Sequence, residues 1–173
     1  LEGDWNVIEG AFFSEFMARH VITPFTVPAH WTKFRSMDWG SASPFAVHWL
    51  AVVQDNIEHD GCTIPRGALV VYREWYGASA PNVGLKLTAE EVAAGIVSRE
   101  TSKDGRREDI AYGVLDPSAF AVQSGPSIAE TLMRHGAVFR RADNTRTSAI
   151  SHDRRKGGWD QLRARLKGDG DGR

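Results

Sequence analysis

The spacing of apolar residues changes near the middle of the chain, and this change constrains the fold more than any other feature. Before Pro81, three strand-like runs lie at about 33–38, 45–53 and 68–76, and the second and third of them are β-branched and aromatic. After Pro81, segments with helical spacing alternate with short strand-like runs. We therefore expect an α/β domain with the element order β-β-β-α-β-α-β-α.

Two of the expected helices begin with a capping box, in which a Ser or Thr and a Glu three residues later satisfy each other's backbone groups. These boxes are Thr88 with Glu91 and Ser127 with Glu130. The elements predicted after Pro81 are a helix over 88–100, a strand over 110–116, a helix over 127–136, a strand over 137–140 and a helix over 158–166. Near the amino terminus, helical spacing of apolar residues over 10–20 predicts a short amphipathic segment.

The strand order follows from two rules of chain connection. The first three strands follow one another, with a polar loop that contains Asp60 and Gly61 between the second and third, so they predict an antiparallel meander. A helical crossover between parallel strands is right-handed, which lets the fourth strand lie beside the first. We therefore predict a five-stranded mixed sheet in the order 3-2-1-4-5, with strand 2 antiparallel and helices flanking it. This arrangement is ribonuclease H-like.

Two aspartates end the first and fourth predicted strands. Asp38 is followed by Trp39 and Gly40, and Asp116 is followed by Pro117. Open α/β sheets place ligands at the carboxyl ends of their strands, and two close carboxylates repel unless a cation or proton lies between them. Each aspartate alone is also typical of a turn. Their matched placement on neighbouring strands favours a site for a hard cation.

Glu74 is a third acid in an otherwise apolar run. Strand alternation places it on one face with Tyr72 and Tyr76, and places Arg73 on the opposite face. A charged group in such surroundings needs a partner or solvent. Two interpretations therefore stay open: Glu74 faces solvent, or it supports the metal site.

Positive charge is concentrated at the carboxyl end. The chain has a net charge of −1, but residues 140–173 carry ten Lys or Arg against five Asp, so this end is basic and the remainder acidic. A basic segment suits contact with phosphate, and a solvated helix face with a flexible tail is the alternative. The candidate DNA contacts are Arg140, Arg141, Arg146, Arg154, Arg155 and Lys156.

Composition excludes several classes of protein. A hydrophobic content of 42% with 25% charged residues is ordinary for a globular domain. No apolar run approaches the roughly 20 residues of a membrane helix, and the amino terminus lacks the features of a signal peptide. The single cysteine, Cys62, offers no disulfide framework. We expect a soluble intracellular domain without membrane contact.

A series of short motifs spans roughly residues 1–167. They are Gly3-Asp4-Trp5, Glu9-Gly10-Ala-Phe-Phe13, Pro28-Ala-His-Trp31, Arg35-Ser-Met-Asp-Trp-Gly40, Pro44, Arg73-Glu-Trp-Tyr76, Asp116-Pro-Ser118, and Ala142-Asp-Asn with Arg146 after Thr145. In this order they resemble the nuclease domain of the large terminase subunit of tailed bacteriophages. In that family, a packaging ATPase precedes a ribonuclease H-like endonuclease that cuts concatemeric viral DNA.

The resemblance implies a function and a set of partners. Asp38 and Asp116 match metal-binding acids of the family, and Glu74 is assigned as a third. Such a centre implies two-metal hydrolysis of DNA with Mg²⁺ or Mn²⁺. The implied partners are double-stranded DNA, the ATPase domain of the parent chain, the portal and the small terminase subunit, in the cytoplasm of a host bacterium.

Two departures from the family pattern shape the expected domains. The chain has no Gly-x-x-x-x-Gly-Lys-Ser/Thr loop, so it does not include the ATPase part. The family also places a metal-binding Asp in a helix near the carboxyl terminus, for which Asp153 or Asp160 could substitute. We expect a lead-in from the absent ATPase domain over 1–30, a nuclease domain truncated at its end over 31–167, and a flexible tail over 168–173. The alternatives are a resolvase-like or transposase-like nuclease of the same fold, and a non-catalytic module that docks onto DNA or a portal.

Overall fold

The computed structural model describes residues 12–122, 125–145 and 157–168. The strands are Lys33–Asp38 (β1), Ala46–Val52 (β2), Ile57–His59 (β3), Cys62–Ile64 (β4), Leu69–Tyr76 (β5), Ala78–Ala80 (β6), Val83–Gly84 (β7), Tyr112–Leu115 (β8) and Arg140–Arg141 (β9). The α-helices are Ala89–Glu100 (α1), Ile128–Arg134 (α2) and Gly158–Lys167 (α3), and 3-10 helices cover Ala18–His20 and Pro117–Phe120.

Chain contacts divide these residues into two compact units. The sheet unit comprises Val27–Gln54 and Leu69–Asp143. The second unit comprises the described residues of 12–26, 55–68, 144–145 and 157–168. The domain boundaries expected from the sequence, at residues 30 and 167, stay a prediction.

The sheet unit is built on a mixed five-stranded sheet in the order β5-β2-β1-β8-β9. β2 runs antiparallel to both β1 and β5, whereas β1, β8 and β9 are parallel. Counted along the chain as the five predicted strands, this is the order 3-2-1-4-5 with strand 2 antiparallel. The predicted topology is therefore confirmed.

One face of this sheet forms the hydrophobic core. Along β2, the alternating residues Val47, Trp49 and Ala51 are fully buried, as expected for a strand with one face in the core. Val47 and Trp49 share one apolar cluster with Val92 and Ile96 of α1. The opposite face of the sheet, called the outer face below, carries Phe34, Ser36 and Asp38 of β1.

Both predicted capping boxes form. At α1, the Glu91 amide donates to Oγ1 of Thr88 over 3.3 Å, and the Thr88 amide donates to Oε2 of Glu91 over 2.8 Å. At α2, Ser127 and Glu130 make the same exchange over 3.2 and 2.7 Å. Gly136 follows the end of α2 with φ of 88°, a left-handed conformation that favours glycine.

A buried ion pair ties β1 to the end of α1. Arg35 and Glu100 are only 3% and 2% exposed, and Nη1 of Arg35 donates to Oε1 of Glu100. Glu100 also accepts from Nε1 of Trp49 over 3.0 Å, and from Nε and Nη2 of Arg107 over 3.2 and 2.8 Å. One carboxylate thus satisfies three donor side chains, which offsets the cost of burying its charge.

The fifth strand is shorter than predicted. β9 contains only Arg140 and Arg141, whereas the sequence predicted a strand over 137–140. In the segment before β9, two backbone carbonyls accept hydrogen bonds from arginine side chains. Nη2 of Arg107 donates to the Gly136 carbonyl over 2.8 Å, and Nη2 of Arg35 donates to the Val138 carbonyl over 2.9 Å. These carbonyls are bound by arginine rather than by the neighbouring strand.

The second unit corrects two expectations. The polar loop between the second and third predicted strands contains a β3–β4 hairpin, whose turn residues Asp60 and Gly61 have φ of 53° and 74°. Residues 12–20 do not form one amphipathic helix; they contain a turn and the 3-10 helix Ala18–His20. The rings of Phe12 and Phe13 instead lie 5.0 and 5.9 Å from the ring of Trp159 in α3. A helix this short is only marginally stable unless tertiary contacts support it. The contacts of Phe12 and Phe13 with Trp159 form without a helical segment, so they do not supply that support.

Candidate active site

Asp38 and Asp116 lie at matching positions on two adjacent parallel strands. The last registered pair between β1 and β8 is Met37 with Leu115, and each of these residues is followed directly by one of the aspartates. Neighbouring strands in a sheet lie about 4.8 Å apart. The two aspartates therefore leave the sheet at the same edge and about one strand spacing from each other, as the sequence predicted.

The loop that follows Asp38 is held tightly by the segment around β7. The amides of Gly84 and Lys86 donate to the carbonyls of Ala42 and Ser41 over 2.8 and 3.1 Å. A Cβ atom at Gly84 would lie 2.1 Å from the Ser41 carbonyl oxygen, so only glycine allows this approach. The backbone next to Asp38 is thus fixed by main-chain contacts.

Asp116 is held by the 3-10 helix that it begins. Its Oδ1 accepts from the Ser118 amide over 2.8 Å, and its carbonyl accepts from the Ala119 amide over 3.1 Å. Pro117 occupies the first helical position, where the missing N–H costs nothing. Asp116 is therefore both the N-cap of this 3-10 helix, where the sequence also allowed a turn, and a neighbour of Asp38. These roles are compatible because each carboxylate oxygen has two lone pairs and can accept a hydrogen bond while it binds a cation.

Cross-strand register defines two rows of side chains on the outer face. One row contains Asp38, Ala46 and Tyr76, which are directly opposite one another on β1, β2 and β5. The next row along the strands contains Ser36, His48 and Glu74. Asp38 is exposed, whereas its neighbour Met37 is buried on the core side.

Glu74 is not brought to the aspartate pair. It lies opposite His48, and Oε1 of Glu74 is 3.5 Å from Nε2 of His48. Two strand spacings, about 10 Å, separate the strand of Glu74 from that of Asp38. Within 12–122, 125–145 and 157–168, no three His, Cys, Asp or Glu side chains are grouped as a metal site would require. Glu74 is 57% exposed, so both solvent and His48 provide its surroundings.

A β-bulge changes the face assignment around Glu74. The register between β2 and β5 shifts between Trp49 and Leu50, which leaves Tyr72 as an extra residue in β5. Tyr72 packs against the core cluster, so the expectation that it shares a face with Glu74 is wrong. Arg73 lies on the opposite side from Glu74, as expected, and donates from Nη1 to Oε2 of Glu108 over 2.9 Å.

Two of the six candidate DNA contacts fall within the described residues, and both are exposed. Arg140 is paired with Val114 in the register, and its guanidinium lies 3.9 Å from the centre of the Tyr112 ring. Arg141 lies 4.8 Å from the centre of the Phe120 ring and donates to the Pro117 carbonyl over 3.2 Å. The other four candidates, Arg146, Arg154, Arg155 and Lys156, lie outside the described residues, as does Asp153.

The donor set at the strand ends fits a hard divalent cation. Two carboxylates on adjacent strands offer only oxygen ligands, which Mg²⁺ and Mn²⁺ prefer. Their mutual repulsion falls when a cation lies between them. Asp160 is, with Asp153, one of the two residues that could substitute for the family's metal-binding Asp near the carboxyl terminus. It lies in the first turn of α3, which belongs to the second unit.

Sequence reasoning missed Ala46, Tyr76 and His48 as neighbours of the site. Alternation along each strand showed which residues share a face, but the pairing of strands determines which of them lie opposite one another. That register depends on the bulge in β5 and on loop lengths.

Comparison with known proteins gives structural matches only. No family model and no curated protein matches the chain. The P22 large terminase nuclease domain superposes with a TM-score of 0.52 and 17% identity, over 91% of this chain and 68% of that one. The large terminase of a thermophilic bacteriophage superposes in two crystal forms, with TM-scores of 0.57 and 0.50 and 16% identity, over 91% and 76% of this chain. The chain spans less than a third of that protein's length, 31% and 28% in the two forms.

These matches bear on the fold. The chain has the mixed, ribonuclease H-like sheet with flanking helices, and this is also the fold of the matched phage domains. None of the helices within the described residues is long and apolar enough to cross a membrane.

Proposed function

We propose that this chain is the metal-dependent endonuclease domain of a viral DNA-packaging terminase. The observation that carries the proposal is the placement of Asp38 and Asp116 directly after the paired residues Met37 and Leu115, at the carboxyl ends of adjacent parallel strands. The fold shared with the P22 large terminase nuclease domain supports the same function. Because one fold serves many chemistries, the two aspartates support this function more directly than the fold does.

The two aspartates hold Mg²⁺ or Mn²⁺ in this proposal. Two such ions, when bound, supply an activated water and stabilise the charge on the leaving oxygen of a phosphodiester. Asp38 contributes from a strand end whose following loop is braced by Gly84 and Lys86. Asp116 contributes while its Oδ1 accepts from the Ser118 amide. Glu74 acts as a supporting acid of the same face rather than as a ligand shared with the pair.

Double-stranded DNA is the proposed substrate, and backbone contacts supply its affinity. Arg140 and Arg141 are exposed cations of β9 that pair in register with Val114 and Leu115 at the end of β8. With Arg146, Arg154, Arg155 and Lys156 they give the carboxyl-terminal part a positive charge. Contacts of this kind bind phosphates with little dependence on sequence and weaken as salt rises.

The parent protein is proposed to carry the remaining functions of a packaging terminase. An ATPase domain precedes this chain in that proposal, and the portal and small terminase subunit are its partners. The cut is made in concatemeric DNA in the cytoplasm of the host bacterium. The chain's incomplete coverage of the large terminase from the thermophilic bacteriophage is consistent with such a longer parent.

Nicking of supercoiled plasmid in the presence of Mn²⁺ tests the proposal. The purified chain should nick the plasmid, and Asp38→Asn and Asp116→Asn should each reduce the rate by about 100-fold or more, because each removes charge that holds the cation. Asp104→Asn is the matched control, since Asp104 is an exposed acid of the same unit bound to Ser102. Mn²⁺ titration calorimetry on the same four proteins gives a second measurement. Absence of both nicking and Mn²⁺ binding in the wild type, or nicking unchanged by Asp38→Asn, would overturn the proposal.

A further inference from the structure

Tyr76 is a large aromatic side chain of the outer face that lacks an aromatic or hydrogen-bonding partner within the described part of the chain. It is 55% exposed. Other rings of the sheet unit are occupied: Trp49 and Phe45 are buried, the Trp75 ring is covered by the Arg99 guanidinium at 3.8 Å, and the Tyr112 ring lies between Phe34 and Arg140. An exposed ring of this size offers an apolar face for a ligand.

Tyr76 lies in the same cross-strand row as Asp38. Ala46 of β2 is directly opposite Asp38 of β1 and also directly opposite Tyr76 of β5. Residues directly opposite in antiparallel strands point to the same face. Only the methyl group of Ala46 therefore stands between the carboxylate of Asp38 and the ring of Tyr76, across two strand spacings of about 10 Å. The small side chain of Ala46 thus separates Asp38 from Tyr76 within this row.

The backbone next to Tyr76 is rigid. The Gly77 amide donates to the Phe45 carbonyl over 2.8 Å. A Cβ atom at Gly77 would lie 2.2 Å from the Phe45 ring, which itself packs edge-on against Trp75 with centroids 4.7 Å apart. Because the strand end is held in this way, and because a tyrosine has only two side-chain torsions, little freedom is lost when the ring binds a ligand.

We infer that Tyr76 stacks on an unpaired nucleobase of the strand that is cut at Asp38 and Asp116, so that this site acts on locally unpaired DNA. The inference rests on the proposed function and narrows its substrate from double-stranded DNA in general to duplexes that contain a locally unpaired stretch. A flat apolar ring about 10 Å from a site for phosphate suits a nucleotide, whose base presents a flat face some distance from its phosphate. In a paired duplex the neighbouring bases cover that face, so the ring reaches a base only where the strand is unpaired.

A protein that binds the exposed outer face of β5 is the competing candidate for the contact with Tyr76. β5 is an edge strand, and Leu69 and Val71 of its outer face are 39% and 54% exposed. Tyr76 is separated from them by Glu74, which is charged and 57% exposed. Tyr76, but not Leu69 or Val71, is in the row of Asp38. This placement favours the nucleic acid.

Base stacking is measured directly with 2-aminopurine, whose fluorescence is quenched when it stacks. The probe is a duplex that carries 2-aminopurine within a short unpaired bubble, bound without divalent metal so that no cutting occurs. Wild type and Tyr76→Phe should quench the fluorescence, whereas Tyr76→Ala should not. Val71→Ala is the matched control, because it removes an exposed side chain from the same face of the same strand, and it should behave as wild type.

Cleavage in Mn²⁺ provides the second measurement. Wild type should cut the bubble duplex faster than the fully paired duplex of the same sequence. Loss of one base stack should lower kcat/KM on the bubble by about 5- to 150-fold in Tyr76→Ala, with recovery in Tyr76→Phe. Sedimentation of each variant reports self-association, and circular dichroism confirms folding.

The outcomes separate the inference from the proposed function. If the wild type nicks plasmid but cuts bubble and paired duplexes equally, and Tyr76→Ala changes neither cleavage nor quenching, the inference is overturned and the nuclease stands. If Tyr76→Ala changes only the sedimentation, the face belongs to a protein contact and the inference is also overturned. Loss of nicking in the wild type, with quenching intact, removes the proposed function and leaves a binding site for unpaired DNA.

Discussion

Asp38 and Asp116 occupy equivalent positions on two parallel strands, each one residue beyond the paired residues Met37 and Leu115. Their separation is therefore set by the spacing between the paired strands and not by the conformation of a loop. A site built in this way keeps two like charges together at a cost in stability. The thermal stability of the protein should therefore differ measurably between the metal-free and metal-bound states.

Neutralising one aspartate should stabilise the metal-free protein. Asp38→Asn removes the repulsion between neighbouring carboxylates, which corresponds to about 0.2–1 kcal/mol, or roughly 0.4–4 °C in Tm for a chain of this size. Thermal unfolding in EDTA measures the effect. Added Mn²⁺ should raise the Tm of the wild type and have much less effect on Asp38→Asn. A lower Tm for the variant in EDTA would contradict the argument.

Removing Glu100 should destabilise the sheet unit severely. Glu100→Ala leaves the buried Arg35 guanidinium and the Trp49 indole N–H without their acceptor, and we expect a loss of about 3–5 kcal/mol in urea unfolding. The paired replacement of Arg35 by Met and Glu100 by Leu should be less destabilising than Glu100→Ala, because it leaves no unpaired buried charge. A loss below about 1 kcal/mol for Glu100→Ala would show that the ion pair is not needed.

Gly95 of α1 should not tolerate alanine, although alanine favours helices by about 1 kcal/mol. A Cβ atom at Gly95 would lie 2.2 Å from the ring of Trp75. This ring is held on other sides by Arg99 and Phe45, so it cannot move away without disturbing them. We expect Gly95→Ala to cost about 1–3 kcal/mol in chemical denaturation. Ser98→Ala, at an exposed position of the same helix, is the control and should be neutral or slightly stabilising.

The pair of cations around Glu108 should make stability depend on acid pH. Burial raises the pKa of Glu108, but Lys33 Nζ at 3.1 Å and Arg73 Nη1 at 2.9 Å outweigh burial and hold the pKa below its usual range. A carboxyl whose pKa is lower in the folded state stabilises the protein above its unfolded pKa, and this contribution is lost as the pH falls through the folded pKa.

The consequence is measured by denaturation at about pH 6 and about pH 3.5, on either side of the ordinary glutamate pKa. Wild type should lose more stability between these two values than Glu108→Gln, and the variant should be less stable than wild type at the higher pH. Asp109→Asn separates the loss of an exposed negative charge nearby from the loss of the half-buried pair. Equal pH dependence in wild type and Glu108→Gln would disprove the linkage.

Much of the fold and part of the site were accessible from local patterns. The capping residues Thr88 and Ser127 predicted the two helix starts, because their hydrogen bonds involve residues only three positions away. The crossover rule then placed the fourth strand beside the first, which brought Asp38 and Asp116 together. The same local patterns did not reveal the β3–β4 and β6–β7 hairpins, whose strands contain only two or three residues each.

The sequence by itself determined the order of the elements, the ends of the main helices and the two aspartates at the strand ends, because each of these depends on neighbouring residues and on one connection rule. Only the tertiary structure decided which side chains share the face with that pair. The bulge at Tyr72 shifts the register between β2 and β5 by one residue. In the resulting register Glu74 lies opposite His48, and Tyr76 lies in the row of Asp38. Register arises from contacts between distant segments, and a shift of one residue exchanges the two faces of a strand.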